Sequence, residues 1–531
     1  MTVGPVAAER PLREQSRRRT RSSAGWWIAA GVVLIPASVP PIALAWQVLT
    51  QGAGATVPTT RLVELLSLTA ALAAAVTVTA LAIGTATAWL TTRTDLPGRR
   101  IWALAASLPL VVPSYVAALT IIGATGPSGL LSTLLGVTVP TPYGFVGAWL
   151  ALSVFLAPMA HLIVTPALRL IDPATEEAAT GLGAGRRRVF FTVTLPQLRP
   201  ALVSAGLMVG LYTLSDFGAV SLLRYDTFTR AIYALYAGQI DRRPAAALSV
   251  ILMVLALVIL VLERRTRTRA RYGTSATHRS RRPYALTRRA RSWALTFFGT
   301  YAAIALVVPV AVILFWLFRG LTAGQATGVI WDEMMRSVGI SLGAAGVAAV
   351  AAFPVAMVTT RRRGRFSGVA ESVTWAIYSL PHIAVGVAVV GFALLWARPL
   401  YQTAALLLAA YVAMFLAQAV SSTQDSLLRA GPDLEDASRG LGRGPLKTLM
   451  RITVPLARPG LSAGAALVFI SVMKELPATL LLRPNGFETL AIRIWSATGE
   501  GFFTQASVAA LVLLTVSIPP LLALTNRDLR R

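Results

Sequence analysis

The stretch that decides the fold is polar, rich in glycine and present twice in the chain. Residues 172–183 read DPATEEAATGLG, and residues 431–442 read GPDLEDASRGLG. Around these motifs, residues 173–202 align with residues 432–461 without a gap, and twelve of the thirty aligned positions are identical. Self-similarity of this kind indicates a duplicated structural unit. The motifs therefore predict a chain made of two copies of one fold.

The first motif has the features of a short capped helix. Asp172 is a favourable N-cap, Pro173 suits the first turn, and the two acids that follow are favoured at the positive end of a helix dipole. Gly181 and Gly183 then end the helix. Because a helix of about two turns is marginal in water, a duplicated copy is better explained by docking to a partner than as an ordinary loop helix.

The rest of the chain is strongly apolar. Its 531 residues are 55% hydrophobic and 13% charged, and the apolar residues form blocks of about 20, enough to cross ~30 Å of hydrocarbon as a helix. We therefore predict an all-α integral membrane protein with about twelve transmembrane helices in two parallel six-helix repeats. The predicted spans are 26–48, 66–90, 101–122, 144–168, 201–222 and 245–262, and then 293–317, 338–358, 373–396, 402–420, 460–482 and 507–524.

The basic residues give the orientation. Most of the 49 lysine and arginine residues lie on segments that twelve spans place on one side of the membrane, and such residues favour the cytoplasmic side. Both termini and both motifs are therefore predicted to be cytoplasmic. The net charge of +27 does not indicate nucleic-acid binding, because the charges are not gathered on one domain.

These patterns divide the chain into five segments. The first span follows a basic tail, as a cleaved signal does, but it is too long for one and has a counterpart in the second half, so we expect it to be retained. The Arg-rich stretch between the halves is interpreted as a solvated tether. The predicted segments are a cytoplasmic tail at 1–25, a first transmembrane domain at 26–262, a linker at 263–292, a second transmembrane domain at 293–525 and a tail at 526–531.

Several chemistries are excluded by composition. The chain has no cysteine and three histidines, none at metal-ligand spacing, so we predict no metal site and no catalytic residue. It also has no Gly-x-x-x-x-Gly-Lys-Ser/Thr loop and cannot hydrolyse ATP by that route. An energy-coupling partner must then be a separate chain.

Two acids fall inside predicted spans. Asp216 and Glu475 are repeat equivalents, and a charge within a span indicates a cavity or a paired site. Two acids facing one translocation pathway would suit a cationic substrate or a gate. The alternative is structural, with both acids near the outer interface and neutralised by basic neighbours. Pro109 and Pro381, also within spans, bend their helices for a gate or for passive packing.

The duplicated motifs resemble the signature of a known family. Glu177-Ala178-Ala179, Gly183 and the later Val-Thr-Leu-Pro resemble the signature loop of binding-protein-dependent ABC importer permeases, whereas the second copy has Asp436 where the family has glutamate. In that family the loop docks to the ATP-binding subunit. By this resemblance the coupling residues are Glu176, Glu177, Ala178, Ala179, Gly183 and Pro196 in the first loop, and Glu435, Asp436, Ala437, Gly442 and Pro455 in the second.

The resemblance also implies partners and a location. It implies two copies of an ABC ATP-binding subunit, which would hold ATP and Mg²⁺, an extracytoplasmic substrate-binding protein, membrane lipid around the helices, and a place in a bacterial cytoplasmic (inner) membrane. The fused layout is most similar to the ferric-iron importer permeases. Thiamine, polyamine and phosphonate importers have related permeases, and an ion-gradient secondary transporter is the alternative from another class.

Overall fold

The structure is a computed structural model. It describes residues 11–52, 57–270, 283–325, 330–362 and 364–529. Within these ranges the chain is helical, and the β structure consists of two isolated bridges, Thr94–Tyr284 and Gly126–Val139. Parts of the predicted tails and the middle of the predicted linker lie outside the described residues.

Twelve α-helices form the first half. In chain order they are α1 Pro11–Gln51, α2 Thr59–Arg93, α3 Arg99–Ser107, α4 Ser114–Ala124, α5 Leu130–Leu135, α6 Phe145–Leu170, α7 Pro173–Gly181, α8 Arg186–Val189, α9 Leu195–Ser215, α10 Gly218–Leu222, α11 Phe228–Gly238 and α12 Arg243–Ala270.

The second half repeats this order almost helix for helix. It contains α13 Arg288–Ala302, α14 Val308–Thr322, α15 Trp331–Arg361, α16 Arg365–Ser379, α17 His382–Trp396, α18 Ala404–Ala430, α19 Asp433–Gly440, α20 Pro445–Thr448, α21 Val454–Met473, α22 Pro477–Leu482, α23 Leu490–Glu500 and α24 Phe503–Leu529. Short 3₁₀ or π segments lie at Leu108–Val111, Phe190–Thr194, Ala303–Val307, Arg398–Leu400 and Leu449–Thr453.

The predicted all-α membrane fold is confirmed, and four of its predicted spans differ in detail. In the described part of the chain ten helices are long and apolar enough to cross a membrane, or twelve if two bent pairs each count as one span. The predicted spans 101–122 and 373–396 are these pairs, bent by 95° and 103°. Val112 and Leu380 are extended at the two bends, because the proline that follows each residue disfavours helical backbone.

Two further predicted spans are shorter than expected. The helices end at Ser215 and Met473, where Asp216 is extended and Lys474 leaves the helical path. The short helices α10 and α22 follow these breaks. Each half therefore has two interrupted helical segments that its apolar composition alone does not reveal.

Three long helices form the centre of each half. In the first half α2 packs against α6 and α9, and in the second half α15 packs against α18 and α21. Buried alanine, valine and leucine fill these contacts. The corresponding helices of the two halves thus build the same bundle, as the sequence repeat predicts.

The first membrane-spanning segment of each half, α1 in the first half and α13–α14 in the second, contacts the other half. Helix α1 packs against α15 and α17, with the ring of Trp26 5.7 Å from the ring of Phe353. Helix α14 packs against α4, where Trp316 Nε1 donates to the carbonyl oxygen of Gly123 at 2.9 Å. The halves are therefore interleaved, and α1 is an integral part of the packed fold.

The end of the predicted linker is not a free tether. Tyr284 pairs with the loop after α2, because its amide donates to the Arg93 carbonyl at 2.8 Å and its carbonyl accepts from the Asp95 amide at 3.1 Å. Asp95 also accepts from the amide of Leu286 and pairs with Arg291 at 3.0 Å. The Leu286 amide and the Arg291 guanidinium hold the pKa of the Asp95 carboxyl below its usual range.

Candidate functional site

The duplicated motif forms two matching structures, which we call the first hook (residues 172–189) and the second hook (residues 431–448). In the first hook, Asp172 Oδ1 accepts from the amide of Ala174 at 3.0 Å and caps α7, and Pro173 occupies the first turn. The predicted helix start is therefore present in the structure. The second hook starts differently, since Pro432 stands at the N-cap of α19 without a side-chain cap.

Both hooks end in the same backbone turn. Gly183 has φ +84° and Gly442 has φ +78°, values in the left-handed region that favour glycine. Their amides donate to the carbonyl oxygens of Thr180 and Arg439 at 2.9 and 3.0 Å. A Cβ at either glycine would meet no atom within 4 Å, so a substitution would strain the backbone without creating a steric clash.

Each hook contains two consecutive acids, and the first of these two is buried and paired. Glu176 lies 3.7 Å from Arg93 (Nη1 to Oε2), and Glu435 lies 3.1 Å from Arg361 (Nη2 to Oε1). Each arginine is the last residue of a long helix, α2 or α15. A buried carboxylate needs such a partner to offset its desolvation. These two acids therefore anchor the hooks to the bundles, and their side chains are not exposed on the surface of the hooks.

The two arginines also bind backbone carbonyl groups, near the end of α6 in the first half and at the first residue of the hook in the second half. Arg93 Nη2 donates to the carbonyl oxygen of Leu168 at 2.6 Å, and Arg361 Nη2 donates to that of Gly431 at 2.8 Å. The repeated Thr-Thr-Arg sequence predicts corresponding positions but not this pairing. The indication in the sequence is that this arginine and its glutamate partner both recur at corresponding positions of the two copies.

In the first hook, the anchor contains two more side chains. Thr194 Oγ1 donates to Glu176 Oε1 at 2.6 Å, and the hydroxyl of Tyr284 donates to Glu176 Oε2 at 3.2 Å. Thr194 lies in the π segment that precedes α9. Glu176 thus joins α2, α7, the start of α9 and the end of the linker.

The second acid of each hook is exposed. Glu177 and Asp436 both point away from the bundle, and the Asp436 side chain is 60% exposed. The apolar side chains of Leu182 and Leu441, one in each hook, are 89% and 80% exposed. Equivalent exposed leucines beside exposed acids form an amphipathic surface of the kind that protein partners cover.

The remaining predicted coupling residues lie around these groups. Ala178 and Ala437 are exposed and Ala179 is half-buried, on the helices that carry the acids. Pro196 and Pro455 are half-buried in the first turns of α9 and α21. There they suit a helix start, and they are set back from the exposed surface of the hooks.

Asp216 and Glu475 cap the interrupted helical segments. Asp216 Oδ1 accepts from the amide of Ala219 at 3.0 Å, and Glu475 Oε1 accepts from the amide of Ala478 at 3.1 Å. Glu475 Oε2 also lies 2.7 Å from His382 Nδ1, at the start of α17. Both carboxylates are buried and hold free amides at the starts of α10 and α22, a role that repeats in the two halves.

The interrupted segments of the two halves meet. Lys474 Nζ donates to the carbonyl oxygen of Leu110, in the bend between α3 and α4, at 3.4 Å. Trp495 Nε1 of α23 donates to Ser221 Oγ of α10 at 2.8 Å. Both hydrogen bonds join one half to the other, so polar groups and non-helical backbone gather at the interface between the halves.

Among the described residues, no group of three or more His, Asp or Glu side chains is placed to hold a metal ion. His161 contacts Thr87 Oγ1 at 3.0 Å and is buried between α2 and α6. His278 lies outside the described residues.

Duplicated helical bundles with paired hooks define a multi-pass membrane permease. The family model described as binding-protein-dependent transport system inner membrane component matches residues 80–265 and 347–530. The chain belongs to this family of ABC importer permeases and carries its domain twice. It is a transport subunit.

Individual relatives of this chain are also transport permeases. The Fe(3+)-transport system permease protein FbpB 2 of Haemophilus influenzae is 30% identical over 474 residues, which cover 87% of this chain and 90% of that protein. The ferric transport system permease protein FbpB of Actinobacillus pleuropneumoniae is 24% identical, over 77% of this chain and 63% of that protein. The molybdenum transport system permease protein ModB of Escherichia coli is 34% identical over 32% of this chain and 77% of that protein.

Proposed function

We propose that this permease imports ferric iron. The observation that carries the proposal is the 30% identity to an Fe(3+)-transport permease along 87% of the chain, through both halves. The molybdenum transport relative matches only 32% of the chain. A match across both bundles includes the interface between the halves, where a substrate would cross.

The two hooks are proposed to seat two copies of an ATP-binding subunit, one on each hook, with ATP and Mg²⁺ held by that subunit. Supporting this are the equivalent exposed acids Glu177 and Asp436 and the equivalent exposed leucines Leu182 and Leu441. The halves present the same surface twice, so two identical subunits can bind in the same way. The hooks and both termini are then cytoplasmic, in agreement with the distribution of basic residues.

Movement of the ATP-binding subunits would reach the membrane through the anchors. Each hook is tied to the end of a long helix by a buried arginine–glutamate pair, and that helix belongs to the central bundle of its half. A displacement of the hook therefore displaces α2 or α15 rather than a flexible loop. An external binding protein would deliver the substrate on the opposite face.

The interface around the interrupted segments is the proposed pathway. Asp216 and Glu475 border it from the two halves, next to the contact between Lys474 and the Leu110 carbonyl. Capping employs one carboxylate oxygen in each residue, and the other oxygen of Glu475 contacts His382. A carboxylate that caps a helix can still carry negative charge, which would attract a cation. Bends and short helices there are also the elements of the bundle that can change direction most easily.

The substrate is tested by transport with the whole complex. The chain is purified with its ATP-binding and binding-protein partners and reconstituted in liposomes, and uptake of radioactive iron from the Fe³⁺-loaded binding protein is measured with and without ATP. ATP-dependent iron uptake supports the proposal. Uptake of molybdate and not of iron, from the same co-purified binding protein, would overturn it.

A further inference from the structure

A basic cavity of about 280 Å³ lies at the hook end of the first half, between the ends of α2, α3 and α6. Its polar lining comes from three arginines and three threonines, and none of its lining residues is acidic. These six residues are Thr91, Thr92, Arg99, Arg100, Thr165 and Arg169.

Four of the six polar groups are available for a ligand, whereas the hydroxyls of Thr91 and Thr92 donate to backbone carbonyl oxygens of α2. Within the described ranges, no hydrogen bond or ion pair involves the guanidinium groups of Arg99, Arg100 or Arg169. The hydroxyl oxygen of Thr165 is buried and has no hydrogen-bond partner among the described residues. Three guanidinium groups and a hydroxyl around one space are donors suited to the oxygens of a phosphate group.

The second half shows that the fold does not require this cavity. Position 424 is the repeat equivalent of Thr165, and there Gln424 Nε2 donates to Thr359 Oγ1, the equivalent of Thr91, at 2.6 Å. Leu428 stands at the position of Arg169. The second half therefore closes the space with its own side chain and lacks one of the positive charges.

The counterparts of the other two arginines are also different. Matching the Ser-Leu-Pro sequences of the two bends places Glu371 and Ser372 at the positions of Arg99 and Arg100. Arg264 donates to Ser372 Oγ at 2.8 Å. The equivalent site in the second half is thus used by the protein itself, and three unpaired positive charges are particular to the first half.

We propose that the cavity binds the phosphate group of an anionic phospholipid. A lipid is favoured over a free anion because exposed apolar side chains continue from the cavity along the same helices. Ile101 and Leu104, just after the arginines on α3, are 71% and 51% exposed, and Leu162, about two turns before Arg169 on α6, is 46% exposed. A headgroup in the cavity places its acyl chains along these residues, at a membrane boundary where basic pockets bind lipid phosphates.

The test is a titration of the purified full-length chain by native mass spectrometry. The probes are phosphatidylglycerol, zwitterionic phosphatidylcholine and inorganic phosphate. Two variants change the site: Arg99→Gln with Arg169→Leu, and Thr165→Gln, which copies the second half. The control, Arg365→Gln with Arg429→Leu, removes two exposed arginines from corresponding helices of the second half.

We expect phosphatidylglycerol to bind the native chain and the control more tightly than phosphatidylcholine. Both site variants should weaken phosphatidylglycerol binding, the double variant by about tenfold or more because two favourable charges are lost. Equal phosphatidylglycerol affinity in all four proteins would overturn the site. Arginine-dependent binding of inorganic phosphate without lipid binding would overturn the lipid assignment. Melting temperatures close to that of the native chain establish that the variants are folded.

Discussion

Arg361 and Glu435 form a buried ion pair, with Nη2 of the arginine 3.1 Å from Oε1 of the glutamate, and this contact fixes the second hook to the end of α15. Arg93 and Glu176 repeat it in the first half. The relationship separates the two acids of each hook into different roles, since the first is held inside the protein and the second is presented outside. The predictions below test this separation and its consequences.

Removing the arginine of the anchor should destabilise its hook. In Arg361→Ala, Glu435 keeps its buried charge without the partner, at a cost of about 3 kcal/mol or more. The measurement is the unfolding midpoint in detergent, with hydrogen exchange of residues 433–448 as the local readout. Arg439→Ala is the matched control, because this side chain is 55% exposed where it contacts the same glutamate, and such pairs contribute less than about 1 kcal/mol. Equal effects of the two variants would contradict a buried anchor.

Charge reversal at the outer acids should prevent docking of the ATP-binding subunit. The double variant Glu177→Lys with Asp436→Lys should fold normally, since both side chains are exposed, and should lose the subunit in pull-downs from detergent. Reversing the exposed acids Asp332 and Glu500, far from the hooks, is the control. Undiminished co-purification of the subunit with the first double variant would refute the docking role.

The exposed leucines should contribute to docking without contributing to stability. Leu182→Asp with Leu441→Asp removes two side chains that are 89% and 80% exposed, and exposed substitutions change stability by about 0.5 kcal/mol or less. We expect an unchanged melting temperature and at least about tenfold weaker binding of the ATP-binding subunit, because a covered leucine contributes about 1.5 kcal/mol or more. Leu134→Asp, at a 71% exposed residue of α5, is the control that should bind normally.

Neutralising the two capping acids should reduce transport while assembly survives. In Asp216→Asn with Glu475→Gln, an amide oxygen can still accept from the amides of Ala219 and Ala478, so the helix starts are kept. The measured quantities are ATP-dependent uptake and recovery of the assembled complex. Asp216→Ala, which removes the cap as well, should also lower the unfolding free energy by about 1 kcal/mol. An uptake rate in the amide variant equal to that of the native chain would show that the two negative charges have no role in transport.

Low pH should release the end of the linker. The Leu286 amide and Arg291 hold the pKa of Asp95 below its usual range, so its contribution to stability is present above the unfolded value of about 3.9 and is lost as the pH falls through the lower folded pKa. Because the chain has no cysteine, spin labels at Pro97→Cys and Arg289→Cys can report the distance. At neutral pH the distance between the two labels should be short, as in the structure, and in acid it should increase. Asp95→Asn should increase this distance already at neutral pH. A distance insensitive to both changes would contradict the contact.

The sequence alone predicts the fold and the hooks well, for physical reasons. Apolar blocks long enough to cross a membrane specify the long helices, and Asp172, Pro173 and Gly183 specify a short capped helix because each residue acts on its own backbone. These signals are local, so they can be recognised without knowing the neighbours.

Features that depend on distant partners could not be predicted in the same way. The bends at Val112 and Leu380 follow from proline, yet hydropathy treats each bent pair as one continuous span. The sequence places Asp216 within a predicted span, whereas in the structure Asp216 caps the short helix α10. The pairing of Arg93 with Glu176 joins residues 83 positions apart, at the end of α2 and within α7. A basic and an acidic residue so far apart in the chain do not by themselves predict a contact.

The interleaving of the halves has a consequence for the chain as a whole. Helix α1 covers part of the second bundle and α14 covers part of the first, so a protein cut within residues 271–282 would still have to be assembled from both fragments. If either fragment is produced alone, the surface that is normally covered by the first membrane-spanning helix of the other half is exposed. In a symmetric dimer of two identical single-length subunits, each subunit would cover its partner by placing its first helix on the partner's bundle.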